Sequence, residues 1–374
     1  MSKVLAVRLD NVGDVLLTGP AVRALAATAS GVDLLVSGSG EAAARLLPGV
    51  DEVLRFDAPW SGYRPPEFST GAVQALLARL RAHQYDRAVV FTSDHQSPLP
   101  MALLARMAGI GWVGATSHDY PGALLDVRHP RPEGLHEVEA ALGLARAAGG
   151  ELAPGDDGRL RVREPLPPVA DLVPDGPYVV VHPSASVPSR APAPEHAAAM
   201  VAALTDAGWR VLVTGGASEH ELAAQVAGST GTPVAGRTDL HRLAALLAGA
   251  ACVVTGNTGP AHLAAAVDTP VVSLFSPVVP AERWAPYGVP VRLLGDQGAA
   301  CRGSRARECP VAGHPCLTGI SPAEVVDAVA ALVAAAAPHV PGSPSAVLAG
   351  ASGAAGAAVA GAATGSALGA GVSA

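Results

Sequence analysis

Lysine is almost missing from this chain, since Lys3 is the only one in 374 residues. Any anion the protein holds must therefore be met by arginine, histidine or backbone N–H groups. Charge of either sign is sparse, at 15% of residues with a net of −7. That balance excludes the broad basic face of a nucleic-acid binder. There are four cysteines, one of them (Cys252) alone in an apolar run, which excludes a disulfide framework of the secreted kind. The apolar start Val4 to Leu9 is too short for a signal peptide, so the expected compartment is the cytoplasm. Neither half of the chain shows a G-x-G-x-x-G after its first strand, which argues against a dinucleotide oxidoreductase.

What the chain has is aliphatic residues in short runs. It is 49% hydrophobic and long enough for two domains with cores of their own. Apolar runs at Val4 to Leu9, Asp33 to Val36, Glu52 to Phe56, Arg87 to Phe91 and Ile110 to Val113 read as strands between helical stretches. The turn Asp10 to Asp14 leads into a helix over Val15 to Ala27, which Pro20 bends or starts late. Gly149 to Pro177 is proline-rich and without period, and reads as a linker. A second alternation begins at Tyr178 to His182 and ends in a helix over Ser321 to Ala336. The implied domains are 1–165 and 166–337, with the last helix free to pack back on the first domain. Residues 338–374 are nearly all Ala, Gly, Ser and Val and read as a disordered tail, having too little large apolar surface to offset ordering.

The unit Cys252 to Phe275 organises the second half. A buried strand runs into Gly256-Asn257-Thr258-Gly259-Pro260, which turns into a helix and a second strand. Free N–H groups at such a turn suit a phosphate, and a plain αβ turn is the competing reading. His262 follows in the first helical turn, as a structural histidine or a cleft residue. Asp14 is either a general base facing a cleft or a helix cap, with Asp10 its competitor for both jobs. Arg8 faces the same cleft or pairs with a neighbouring acid. After the first strand of the second half comes His182 to Arg190, rich in hydroxyls (Ser184, Ser186), where Arg190 is a phosphate clamp or a plain surface arginine. Thr214-Gly215-Gly216 leads to Glu219, a ribose ligand or a cap. Cys301, Cys309, Cys316 and His314 suit zinc by type, but no Cys-x-x-Cys pair supports it.

Taken together these stretches resemble the glycosyltransferases that include the bacterial ADP-heptose:lipopolysaccharide heptosyltransferases, glycosyltransferase family 9. The residues carrying the likeness are Val4 to Val15 with Thr18 and Pro20, Val181 to Ser186, Thr214 to Gly216, Asn257 to His262 and Trp284 to Gly288. The resemblance covers the chain to about Val333. It implies an α/β fold of GT-B architecture, two Rossmann-like domains facing an inter-domain cleft. It also implies inverting transfer from a nucleotide-diphosphate sugar such as ADP-heptose to a hydroxyl of a cell-envelope glycan or other glycoconjugate. The acceptor would be glycan or lipid-linked, at the inner membrane face, with no metal, no cofactor and no nucleic acid. Asp14 matches the general base, and Gly13 stands beside it. Arg190 and Ser186 match the phosphate loop, while Thr258 and Gly259 match the phosphate turn with Asn257 and His262 flanking it. Glu219 falls near the ribose acid, though Glu221 competes. Asn257 stands where much of the family has Asp, Ser184 where Gly is usual, and Pro192 where a Trp is common. A sugar-nucleotide epimerase and a degenerate sugar-nucleotide binder are the competing functions, and turnover of donor without acceptor separates the first from a transferase.

Overall fold

The computed structural model describes residues 2–62, 64–93 and 95–336. The first half runs β1 (Lys3–Arg8), α1 (Val12–Ala26), β2 (Gly31–Val36), α2 (Glu41–Leu46), β3 (Val53–Arg55) and α3 (Thr70–His83). It continues through β4 (Arg87–Val90), α4 (Leu99–Met107), β5 (Trp112–Thr116), β6 (Val127–His129) and α5 (Glu137–Ala147). The second half runs β7 (Tyr178–His182), α6 (Pro194–Asp206), β8 (Arg210–Val213), α7 (His220–Ala227), β9 (Thr232–Pro233) and α8 (Leu240–Ala248). Then come β10 (Cys252–Gly256), α9 (Gly259–Ala265), β11 (Val271–Leu274), α10 (Ala281–Trp284), β12 (Val291–Leu294), α11 (Pro315–Thr318) and α12 (Pro322–Ala336).

Among the described residues these strands form two six-stranded sheets, ordered β3-β2-β1-β4-β5-β6 and β12-β11-β10-β7-β8-β9, and every pairing is parallel. Both have Rossmann order, reversing direction between β1 and β4 and between β7 and β10, where ligands of such sheets bind at the carboxyl ends of the strands. Parallel strands covered on both faces read as unbroken apolar runs. β1 shows why: Val4 and Ala6 enter one core, Leu5 and Val7 the opposite one. No described helix is long and apolar enough to cross a membrane.

The first core does not stop at the domain edge. Val4, Leu16 and Leu144 belong to one apolar cluster with Val180, Val253 and Leu263 of the second half. Leu16, Leu17, Val22 and Leu25 of α1 are fully buried, each stabilising the fold by about 1.5–3 kcal/mol before entropy. α1 and α9 approach through glycines. A Cβ on Gly13 would lie 2.8 Å from the His262 ring, and one on Gly259 would lie 3.0 Å from Val12. Trp284 to Gly288 ties the halves as well, because His136 Nε2 lies 2.9 Å from the Ala285 carbonyl and the Tyr287 hydroxyl donates to Glu139.

Four sequence expectations change. α1 opens at Val12, so Gly13 and Asp14 lie inside its first turn and not in the turn before it. Pro20 is buried within that helix without ending it. The segment 149–177 has no regular element, but it is pinned to the first half and not a free linker. Leu160 and Leu172 are buried, Arg23 pairs with Asp156 at 2.7 Å, and Arg163 donates to the Leu47 and Val50 carbonyls. Finally, α12 packs on α6 and on β10 to β12, so the last helix stays with the second sheet. The Ala/Gly/Ser-rich tail at 338–374 falls outside the described residues.

Candidate active site

A cleft of about 210 Å³ opens at the carboxyl ends of both sheets. Asp10, Gly13, Asp14, Ser93 and Gln96 line it from the first half; Ser186, Arg190, Asn257, Thr258, Gly259 and His262 line it from the second. Eight of the nine residues singled out from sequence thus share one cavity. Glu219 is the exception. Its carboxylate accepts from the Gly216 N–H at 2.5 Å, as a cap does, and neither it nor Glu221 lines the cleft. Sequence reasoning missed Arg305 and Arg307, which also line it, and gave Trp284, another lining residue, no role beyond the likeness. The two arginines sit in the run Arg302 to Arg307, which holds three arginines in a cation-poor chain. That was the available signal.

Asp14 is held from behind. Arg8 is 3% exposed and donates from one terminal nitrogen to Asp14 Oδ1 at 3.0 Å and to Ser93 Oγ at 2.9 Å. Its Nε lies 2.8 Å from Asp10 Oδ2, close but too poorly aligned for a hydrogen bond, and Glu137 is 3.9 Å away. Arg8 is thus the buried cation of an acid cluster, and not a residue of the cleft wall. Asp10 is buried and its other oxygen accepts from Gln96, whereas the Asp14 side chain is 21% exposed at the cleft. Access favours Asp14 as the proton acceptor. Burial, opposed by Arg8, pushes the Asp10 carboxyl up to about 6.

The opposite wall carries unsatisfied donors and acceptors. Asn257 is 4% exposed and its Nδ2 has no partner; His262 Nδ1 and Arg190 Nε are buried and unpartnered too. Leaving such a group unpaired costs about 1–3 kcal/mol, more when charged. All three residues line the cleft, so this wall has hydrogen-bonding capacity that the described residues leave unused. Burial pushes the Arg190 guanidinium down from its ordinary value, with Asp14 opposing and the like charge of Arg305 adding to the effect.

The Arg190 loop is fixed by the strands beneath it. His182 bridges Thr214 Oγ1 at 2.9 Å and Ser184 Oγ at 3.1 Å, and Thr255 donates to the His182 carbonyl at 3.1 Å. A Cβ on Gly256 would lie 2.4 Å from the Arg190 carbonyl oxygen. Gly256→Ala should therefore push this loop off β10 and cost roughly 1–3 kcal/mol of stability. Chemical denaturation of the two proteins measures it, and equal midpoints and slopes would mean that the loop yields freely.

Burial pushes both His182 and His262 down to about 4. In the unfolded chain they titrate near the ordinary value of about 6.5. Between those values the unfolded state binds more protons, so the stability they contribute is present above about 6.5 and lost as pH falls towards 4. Each is worth roughly 3 kcal/mol at most; Asp10, with its raised value, works in the opposite sense below about 6. The melting temperature should fall as pH drops from 6.5 to 4.5, and His262→Gln should flatten that fall. An unchanged slope in the variant would show that His262 is protonated as easily folded as unfolded.

Cys252 is sealed in β10, where burial pushes its thiol up to about 12. Cys301, Cys309, Cys316 and His314 do not gather as a ligand set. Among the described residues, the one trio with ligand atoms within 4.8 Å of one another is Asp33, Glu52 and His83. Asp33 there is already occupied by Lys3 at 3.1 Å and the Tyr85 hydroxyl at 2.7 Å.

Known proteins share this arrangement. The sequence profile of glycosyltransferase family 9 (heptosyltransferase) matches residues 73–313. Lipopolysaccharide heptosyltransferase 1 of Pseudomonas aeruginosa is 31% identical over 296 residues, which is 74% of this chain and 79% of that protein. The solved ADP-heptose lps heptosyltransferase II of E. coli superimposes with a TM-score of 0.69 at 23% identity, covering 89% of this chain and 99% of that one. An E. coli heptosyltransferase solved with ADP gives a TM-score of 0.62 at 21% identity, covering 87% and 96%. With the GT-B pair of sheets and the cleft between them, these matches show that the chain is a glycosyltransferase and belongs to family 9, the heptosyltransferases.

Proposed function

We propose that the protein moves a heptose-type sugar from a nucleoside diphosphate, ADP by analogy with its relatives, to a hydroxyl of a lipopolysaccharide-type envelope glycan, with inversion. Residues 1–165 bind the acceptor and 166–337 the donor, and the acceptor is presented at the inner membrane face. Asp14 takes the proton of the acceptor hydroxyl as its oxygen attacks the anomeric carbon. The bond from that carbon to the diphosphate breaks on the opposite face, and the diphosphate leaves with the electron pair. Arg190, Ser186 and the Asn257-Thr258-Gly259 turn receive the growing negative charge. Asn257 and His262 complete the donor contacts with their unpartnered nitrogens. Glu219, engaged by the Gly216 N–H, has a capping role in this reading.

The observation that carries the proposal is the pairing of walls. An accessible carboxylate fixed by Arg8 faces three buried, unpartnered polar atoms across a single cleft. Such a site suits a base on one side and an anionic leaving group on the other. The test is ADP release from ADP-heptose, with and without a deacylated inner-core acceptor, and the anomeric configuration of the product by NMR. Release that depends on acceptor with an inverted product supports the reading. Conversion of the donor sugar without acceptor, or a retained configuration, would overturn it.

A further inference from the structure

Arg305 reaches the cleft from a loop with no part in either sheet. We infer that Arg305 is a second cation of the donor site, placed beside Arg190 to bind the diphosphate and to stabilise it as it leaves. The inference rests on the donor reading above.

The loop after β12 is laced to the phosphate side of the cleft at several points. Gly303 N donates to the Pro277 carbonyl at 2.9 Å and Arg305 N to the Val278 carbonyl at 2.8 Å. Ser189, the residue before Arg190, donates from its backbone to the Arg307 carbonyl at 2.9 Å and from its hydroxyl to the Ala306 carbonyl at 2.6 Å. His314 Nε2 lies 3.1 Å from the Ser189 carbonyl. Buried Cys301 and Cys316 flank the loop, so its ends are anchored in the core. The two arginines are thereby held in register with each other by backbone bonds.

The backbone at Arg305 adds an independent sign. Its φ is +57°, in the left-handed region that favours glycine. Residues held there against their preference cluster at functional sites, where the side chain is what the strain retains. Arg305 is also close enough to Arg190 to act on it as a like charge, and both line the same cleft. Two cations fixed by one scaffold at the same cleft suit an anion that gains charge there. The proposed reaction supplies that anion, since breaking the bond to the anomeric carbon adds one negative charge to the diphosphate. One guanidinium and a turn would meet the ground state; the second matters most as the charge grows.

Arg305→Gly is the informative variant, because glycine suits the left-handed backbone and the fold should hold. By calorimetry it should bind ADP about tenfold more weakly or worse, the lower end expected for a charged hydrogen bond. Adenosine, which has no phosphate, should bind both proteins alike. The turnover number should fall by a larger factor than the ADP affinity, and Arg305→Lys should recover part of each. ADP affinity and turnover equal to the parent in Arg305→Gly, with Arg190→Ala impaired, would overturn the inference and leave the donor reading intact. Failure of the parent protein to bind ADP would overturn both.

Discussion

Asp14→Asn should transfer sugar about 100- to 10,000-fold more slowly than the parent while binding the donor equally well. The carboxylate sits in the first turn of α1, and the proposed donor contacts lie across the cleft on the second half. Its loss therefore acts on the chemical step. Asparagine has the same shape and still accepts from Arg8, so the helix start and the close approach of Gly13 to His262 should survive. Arg8 also keeps Asp10 and Glu137 nearby, so its charge is not left alone. Initial rates at saturating acceptor and a donor titration are the two measurements. A parental rate would make Asp14 a cap and move attention to Asp10, which is buried and held by Gln96.

The two α/β halves were legible because parallel strands covered on both faces need consecutive apolar residues. β7 and β10 are buried along their whole length and read as strands at once. The sheet edges did not. β6 and β12 are short, partly exposed and interrupted by Arg128 and Arg292, so nothing in their pattern announces a strand. β5 lies a little later than its apolar run suggests, since Gly109 and Gly111 belong to the turn before it and Trp112 takes the register opposite Arg87. Local chemistry named most of the cleft, because the turns after β1, β7 and β10 meet there by topology. It stayed ambiguous where one residue suits two jobs: Glu219 carries the composition of a ribose ligand and the hydrogen bond of a cap. It failed for Arg305 and Arg307, whose place depends on bonds from Ser189 to a loop far along the chain. Three cysteines drew the eye in that stretch, yet two of them are buried anchors of the loop that carries the arginines.

Arg190→Ala should weaken donor binding about 10- to 150-fold, the range for losing a charged hydrogen bond of about 1.5–3 kcal/mol. The guanidinium lines the cleft, where a phosphate can reach it. No lysine stands by to replace it, since Lys3 lies in β1 with its ammonium 3.1 Å from Asp33. Arg305 remains in the variant and limits the loss. Arg190→Lys restores the charge but not the planar fork, so its affinity should fall between the other two. The loop itself should hold its shape, because it is fixed by backbone groups: Arg190 N donates to the Val187 carbonyl at 2.9 Å, and the Arg190 carbonyl packs against Gly256. ADP and the full sugar nucleotide should lose affinity by the same factor, as the contact is to phosphate and not to sugar. Calorimetric titration of both ligands into the three proteins decides the matter. An alanine variant that binds ADP as tightly as the parent would assign the diphosphate to the Thr258 turn and Arg305 alone, and a loss confined to the sugar nucleotide would move Arg190 to the sugar.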